Sequence, residues 1–90
     1  MNIKEERLAR GLSANSRRQI LKLISDQELT VKDIAQQTNM SVSLTSRHLT
    51  LLYDLGFLNL RIKHPNKFYS LKIKELKDLL KVYDKVIKKL

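Results

Sequence analysis

Residues 30–56 read TVKDIAQQTNMSVSLTSRHLTLLYDLG, and local signals trace two helices joined by a tight turn through them. Thr30 is followed three residues on by Asp33, a short form of the capping box in which each side chain can satisfy a free backbone N–H. Val31, Ile34 and Ala35 then face inward, and Ala35 is small enough for another helix to cross closely. Asn39 suits a turn position with positive φ, which asparagine tolerates better than most residues. A second helix starts near Ser41 or Ser43 and runs to about Leu55. Thr45, Leu49 and Leu52 recur at spacings of four and three and form its inward face. Gly56 closes it through a left-handed residue, which sets Phe57 back on Leu52. On the opposite side lie Val42, Ser43, Ser46, Arg47 and Thr50. All but Arg47 are short, so this side of the helix can approach a large partner closely.

Upstream, a helix is expected over about residues 2–10, with Ile3, Leu8 and Leu12 as a weak apolar side and Gly11 at its end. The next runs from 14 or 17 to 27, capped by Ser13 or by Ser16 with Gln19, and buries Ile20, Leu21, Leu23 and Ile24. Downstream, the period changes from about 3.6 to 2. In FLNLRIKH (57–64), Leu58, Leu60 and Ile62 alternate with Asn59, Arg61 and Lys63. His64-Pro65-Asn66 turns the chain, and KFYSL (67–71) returns with Tyr69 and Leu71 inward. The result is a β-hairpin with a basic tip. A last helix, from about Ile73 to the end, carries Ile73, Leu76, Leu80, Tyr83, Ile87 and Leu90 on one stripe. Leu79, Val82 and Val86 widen it to a second. One stripe can pack on its own domain while the other meets a partner chain.

The expected fold is mainly α with a small β-hairpin, in the order α-α-α-α-β-β-α. A tight turn between the third and fourth helices is what a helix-turn-helix requires, and in that motif the first turns of the second helix meet base edges in the major groove. Serine and threonine can bond bases or phosphates, and arginine can grip guanine through two acceptors. A solvated helix face carries similar residues, but turn, hairpin and charge agree on DNA contact.

The 90 residues suffice for one domain, and a core of that size is modest, so dimerisation is a reasonable way to bury more. With 42% apolar residues the chain is too hydrophobic for disorder. No run of about 18 apolar residues signals a membrane span, and the charged N-terminus does not read as a signal peptide. Cysteine is absent, which removes disulfides and thiolate sites and fits a cytoplasmic, nucleoid-associated protein. The formal charge is +9, and by segment it runs about +3 over residues 1–18, −1 over 19–39, +3 over 40–71 and +4 over 72–90. So small and basic a chain suits a polyanionic partner, either nucleic acid or an anionic membrane surface. Lysines of 72–90 form a polar helix face, but Glu75, Asp78 and Asp84 interrupt it, which weakens the membrane reading. No nucleophile–base pair, metal cluster or glycine-rich phosphate loop stands at usable spacing, so no enzyme, metal or cofactor is expected.

The run from about 13 to 71 resembles the winged-helix domain of ArsR-type transcriptional regulators. The resemblance is carried by RRQILKLI (17–24), TVKDIAQQTNMS (30–41), SVSLTSRHLTLLYDLGFLNLR (41–61), Tyr69 and Leu71. It implies a homodimer, built by terminal helices 1–12 and 73–90, on a near-palindromic double-stranded DNA site. It implies recognition helices in successive major grooves and a wing, 57–71, along the backbone or minor groove. The DNA-facing set is then Ser41, Val42, Ser43, Ser46, Arg47 and Thr50 on the helix-turn-helix (30–55), with Arg61, Lys63, His64 and Lys67 on the wing. The dimer set is Ile3, Leu8, Leu76, Leu79, Leu80, Tyr83, Val86, Ile87 and Leu90. Two features depart from the family. The wing tip is Pro65-Asn66-Lys67 where the family usually has Gly-Arg. The helix before the recognition helix has no cysteine and 73–90 has no histidine, so the family's known metal sites are not supported.

Around this reading, His48 is assigned a structural role beside Leu44 and Leu51 in preference to a ligand role. His64 is solvated or meets a phosphate, Tyr69 packs in the core or wing, and Arg17 and Arg18 are open between phosphate contact and structure. The function expected is a sequence-specific regulator, more readily a repressor, because repression needs only occupancy of a promoter. An architectural DNA-binding protein and a winged-helix assembly module are the alternatives. The sequence names no small-molecule effector.

Overall fold

The computed structural model describes residues 2–90. Helix α1 (Ile3–Leu12) begins on Asn2, whose side chain accepts from the Lys4 N–H at 2.8 Å. Glu5 and Glu6 in its first turn and Arg10 in its last suit the helix dipole. The expectation that Gly11 ends this helix is wrong. The helix continues through it because Phe57 packs on the bare backbone there.

Helix α2 (Asn15–Leu23) has Ala14 as N-cap and no side-chain cap, so neither Ser13 nor Ser16 plays that part. Ser13 instead donates to the Arg10 carbonyl at 3.0 Å, closing α1. Nor does α2 reach residue 27. Ser25 Oγ donates to the Leu21 carbonyl at 2.7 Å and Gln27 Nε2 to that of Leu23 at 3.0 Å, satisfying the last carbonyls by side chains. The chain then extends as a strand absent from the expected order, β1 (Leu29–Thr30).

Helices α3 (Val31–Thr38) and α4 (Val42–Asp54) follow, then strands β2 (Leu58–Lys63) and β3 (Asn66–Leu71), then α5 (Glu75–Lys88). The hairpin is thus part of a three-stranded antiparallel sheet, in the order β1-β3-β2. One row across it is Leu29, Tyr69 and Leu60, facing the core; the next is Thr30, Phe68 and Arg61, facing away.

A single cluster forms the core. Ile20, Leu21 and Ile24 of α2 meet Ile34 of α3, Leu49 and Leu52 of α4, and Leu58, Tyr69 and Leu71 of the sheet, with Leu12 and Phe57 closing one end. Leu76 and Leu80 of α5 join the cluster, 3% and 1% exposed. Buried in their own chain, these two have no surface to offer a partner, which corrects their place in the expected dimer set. Two ion pairs hold α5 near the end of α2: Lys22 to Asp84 and Lys77 to Asp26, each 2.7 Å.

Candidate nucleic-acid interface

Three caps fix the geometry of α3, the turn and α4. Thr30 Oγ1 accepts from the Asp33 N–H at 3.2 Å and starts α3. Asn39 stands at φ 56°, ψ 41°, in the left-handed region. Its N–H bonds the Gln36 carbonyl, and the Met40 N–H bonds that of Ala35, the paired bonds of a Schellman ending. Ser41 Oγ then accepts from the Leu44 N–H at 3.0 Å and starts α4. At the far end the Gly56 N–H bonds the Tyr53 carbonyl and the Phe57 N–H that of Leu52, with Gly56 at φ 90°. Both ends of α4 are therefore set by local chemistry.

Packing decides which face α4 shows. Thr45, Leu49 and Leu52 are fully buried, and the Thr45 hydroxyl is satisfied by the Ser41 carbonyl at 2.8 Å. On the other side Val42, Ser43, Ser46, Arg47 and Thr50 are all exposed. Thr50 donates to the Ser46 carbonyl at 2.9 Å and keeps its oxygen free to accept. Ser41 is also exposed; its oxygen caps the helix, and its O–H remains available to an acceptor.

His48 is half-buried on the flank of this stripe. Burial, then the nearby Arg17 and Arg47 charges, hold its pKa below the ordinary histidine value, which favours the neutral imidazole. Arg17 and Arg18 both close the end of α1. Arg17 Nη2 donates to the Arg10 carbonyl at 2.8 Å and to Ser13 Oγ at 2.9 Å. Arg18 Nη1 donates to the Leu12 carbonyl, and its guanidinium lies 4.7 Å from the Tyr83 ring centre.

On the hairpin, Lys63, His64 and Lys67 are exposed around the turn. Register pairs Lys63 with Asn66 and Ile62 with Lys67, so the two lysines project from opposite faces of the ribbon. Arg61 differs: it is already held in a bidentate ion pair by Glu28. Glu28 is not legible as its partner in the sequence, because it lies 33 residues away, just before β1, and nothing local marks it. Among the described residues the ion pairs are those of Lys22, Arg61 and Lys77; Arg47, Lys63 and Lys67 take part in none. Among the described residues, too, no three His, Cys, Asp or Glu side chains gather where they could hold a metal, and no helix is long and apolar enough to cross a membrane.

The remaining residues of the expected dimer set lie on α1 and α5. Ile3, Leu8, Leu79, Val86, Ile87 and Leu90 are exposed, and Tyr83 is half-buried beneath Arg18. Leu79, Val82, Tyr83, Val86, Ile87 and Leu90 line an apolar trough of about 350 Å³ along α5.

Comparison with known proteins agrees with this architecture. Residues 15–59 match the sequence model described as bacterial regulatory protein, arsR family. Over 70 residues the chain is 36% identical to the transcriptional activator HlyU of Vibrio cholerae serotype O1, a match that takes in 77% of this chain and 65% of that protein. The matched segment thus spans less than two thirds of that relative's length. The fold superposes on HlyU from Vibrio cholerae N16961 with a TM-score of 0.81 at 29% identity, over 92% of this chain and 90% of that one. It also superposes on the homodimeric winged helix-turn-helix DNA-binding domain Mb0332 (fragment 1–100) of Mycobacterium bovis. There the TM-score is 0.81 at 25% identity, over 94% of this chain and 79% of that one.

Proposed function

The chain belongs to the arsR family of bacterial regulatory proteins, and from that premise we propose that it is a sequence-specific, double-stranded DNA-binding transcriptional regulator acting as a homodimer. The observation that carries this reading is the stripe Ser43, Ser46, Arg47 and Thr50. It is exposed on the second helix of a helix-turn-helix whose start and turn are fixed by Ser41 and Asn39. Short hydroxyl side chains let the axis of α4 approach the groove floor. Arg47 is free of any internal ion pair and supplies the longer reach to a guanine edge.

Ser41 and Val42 enter at the helix start, against phosphate and a thymine methyl respectively. Lys63, His64 and Lys67 carry the wing along the backbone, with the lysines to either side of the ribbon. Ile3, Leu8, Leu79, Tyr83, Val86, Ile87 and Leu90 cover one another across a two-fold axis. The homodimeric relative from Mycobacterium bovis supports the dimer, and the exposed apolar side of α5 supports its placement there.

We read the regulator as a cytoplasmic, nucleoid-associated repressor that acts by occupying its promoter. The relative HlyU is named an activator; the act at the DNA is common to both signs of regulation. Selection of bound sequences from a random duplex library, at near-physiological salt, tests the proposal. The expected product is an inverted repeat with half-sites about one helical turn, ~34 Å, apart. Bound DNA without a shared sequence would replace this reading by an architectural one, and no bound DNA would direct attention to protein partners.

A further inference from the structure

Alternation along β2 puts the Arg61 side chain on the sheet face away from the core, beside Phe68 of β3. Its Nε donates to Glu28 Oε1 and Oε2 at 3.0 and 3.1 Å, and its Nη2 to Oε1 at 2.6 Å. Its Cζ lies 4.5 Å from the centre of the Phe68 ring. Glu28 precedes β1, whose Thr30 pairs with Phe68 on that strand's other side. The clasp therefore crosses the whole sheet. Thr30 is also the N-cap of α3, so the contacts run on from the wing to the first helix of the helix-turn-helix.

An isolated surface ion pair fixes little, because two long side chains exchange it freely with water. A forked guanidinium–carboxylate pair stacked on a ring is fixed in direction as well as distance. Glu28 closes the Nε–Nη2 edge, one of the two edges by which a guanidinium can fork a phosphate, and the pair together carries no net charge, which removes the attraction that would bring a phosphate to the other. The hydrogen bond from Arg61 also lowers the Glu28 pKa from its ordinary value, which favours the ionised carboxylate that the clasp needs.

We infer that Arg61 is withheld from DNA, and that Glu28 is the positioning residue that withholds it. The clasp sets the wing against the helix-turn-helix, and the phosphate contacts of the wing fall to Lys63 and Lys67. This rests on the DNA-binding reading above, and the test separates the two. The slope of log Kobs against log salt concentration counts the cations a protein places on phosphates. It is measured on a duplex lacking the selected sequence, for the wild type, Lys67→Gln, Arg61→Gln, Glu28→Gln and the Glu28→Gln/Arg61→Gln double variant. Circular dichroism verifies that each is folded.

The expected results are a slope shallower by roughly 0.9 per protomer in Lys67→Gln and unchanged in Arg61→Gln. Glu28→Gln steepens it by a similar amount by freeing Arg61, and the double variant returns to the wild-type slope. An Arg61→Gln slope as shallow as that of Lys67→Gln overturns the inference. So does a Glu28→Gln effect of equal size with and without Arg61, which would make Glu28 merely a repelling charge. A wild type that binds no duplex, or a Lys67→Gln slope equal to wild type, ends the DNA reading of the wing and takes this inference with it.

Discussion

The ring of Phe57 occupies the space that a side chain on Gly11 would need. Phe57 is 4% exposed and closes one end of the core, so the ring has little room to withdraw. An exposed helical Gly→Ala change gains about 1 kcal/mol from helix propensity. Overpacking a filled site costs roughly 1–3 kcal/mol. Gly11→Ala is therefore expected to destabilise the fold by about 1 kcal/mol in urea denaturation. In a Phe57→Leu background the same change is expected to be neutral or stabilising. Equal effects in both backgrounds would separate Gly11 from Phe57.

Ser41 begins the candidate recognition helix by accepting the Leu44 N–H at 3.0 Å. Loss of such a cap costs about 1 kcal/mol. Ser41→Ala is expected to lower stability by that amount, and Ser41→Asp to keep it. Because Asp repels phosphate, the two variants part on DNA: Ser41→Asp is expected to be the weaker binder despite the sounder helix. Stability and fluorescence-anisotropy titrations of both variants check the pair.

Leu80 and Val86, on different sides of α5, are expected to behave oppositely. Leu80 is 1% exposed, and Leu80→Ala is expected to cost about 2–5 kcal/mol of folding stability. Val86 is 54% exposed, and Val86→Glu is expected to leave the fold intact while sedimentation equilibrium shows monomers. A Val86→Glu dimer as tight as wild type would place the interface elsewhere.

Acid acts in two windows of pH. His48 has a folded pKa below its ordinary value, chiefly through burial and then through Arg17 and Arg47. The unfolded chain takes up its proton first, near pH ~6.5, so stability falls as pH falls through the ordinary histidine range. His48→Gln is expected to flatten that part of the profile. Asp26 and Glu28 also have lowered pKa values, through hydrogen bonds from Lys77 and Arg61. Their contribution is present above the unfolded carboxylate pKa and is lost as pH falls through the lower folded value. Thermal unfolding followed from pH 8 to 3 reads both windows. An unaltered profile in His48→Gln would remove His48 from the account of the first.

The parts legible in the sequence are those whose determinants lie within a turn of one another. Thr30 at the start of α3, Asn39 in the turn, Ser41 at the start of α4 and Gly56 before Phe57 each do locally what their residue types imply. Only the Thr30 half of the Thr30–Asp33 box forms, however: Thr30 accepts the Asp33 N–H, and the Asp33 carboxylate accepts no backbone N–H among the described residues in return. Alternation likewise turned Tyr69 and Leu71 inward. The parts not legible depend on distant partners. Strand β1 has two residues and no period, and exists because Leu29 and Thr30 meet Tyr69 and Phe68. Gly11 looked like a helix stop because Phe57, which makes it a packing glycine, lies far along the chain. Ser13 and Ser16 are plausible caps in isolation, yet the turn between α1 and α2 leaves that place to Ala14. Arg61 reads as a free wing cation until Glu28 is set beside it. Only packing shows which apolar residues of α5 are core and which are surface.

If the exposed side of α4 reads base edges, Arg47 is the residue whose loss shows it. The measurement is the affinity of wild type and Arg47→Ala, at one salt concentration, for the selected duplex and for a shuffled one. A lost bidentate base contact costs about 1–3 kcal/mol of discrimination. Arg47→Ala is therefore expected to bind the selected site roughly five- to 150-fold more weakly while changing far less on the shuffled duplex, so the specificity ratio collapses. An equal loss on both duplexes, or none on either, would contradict base reading by this helix.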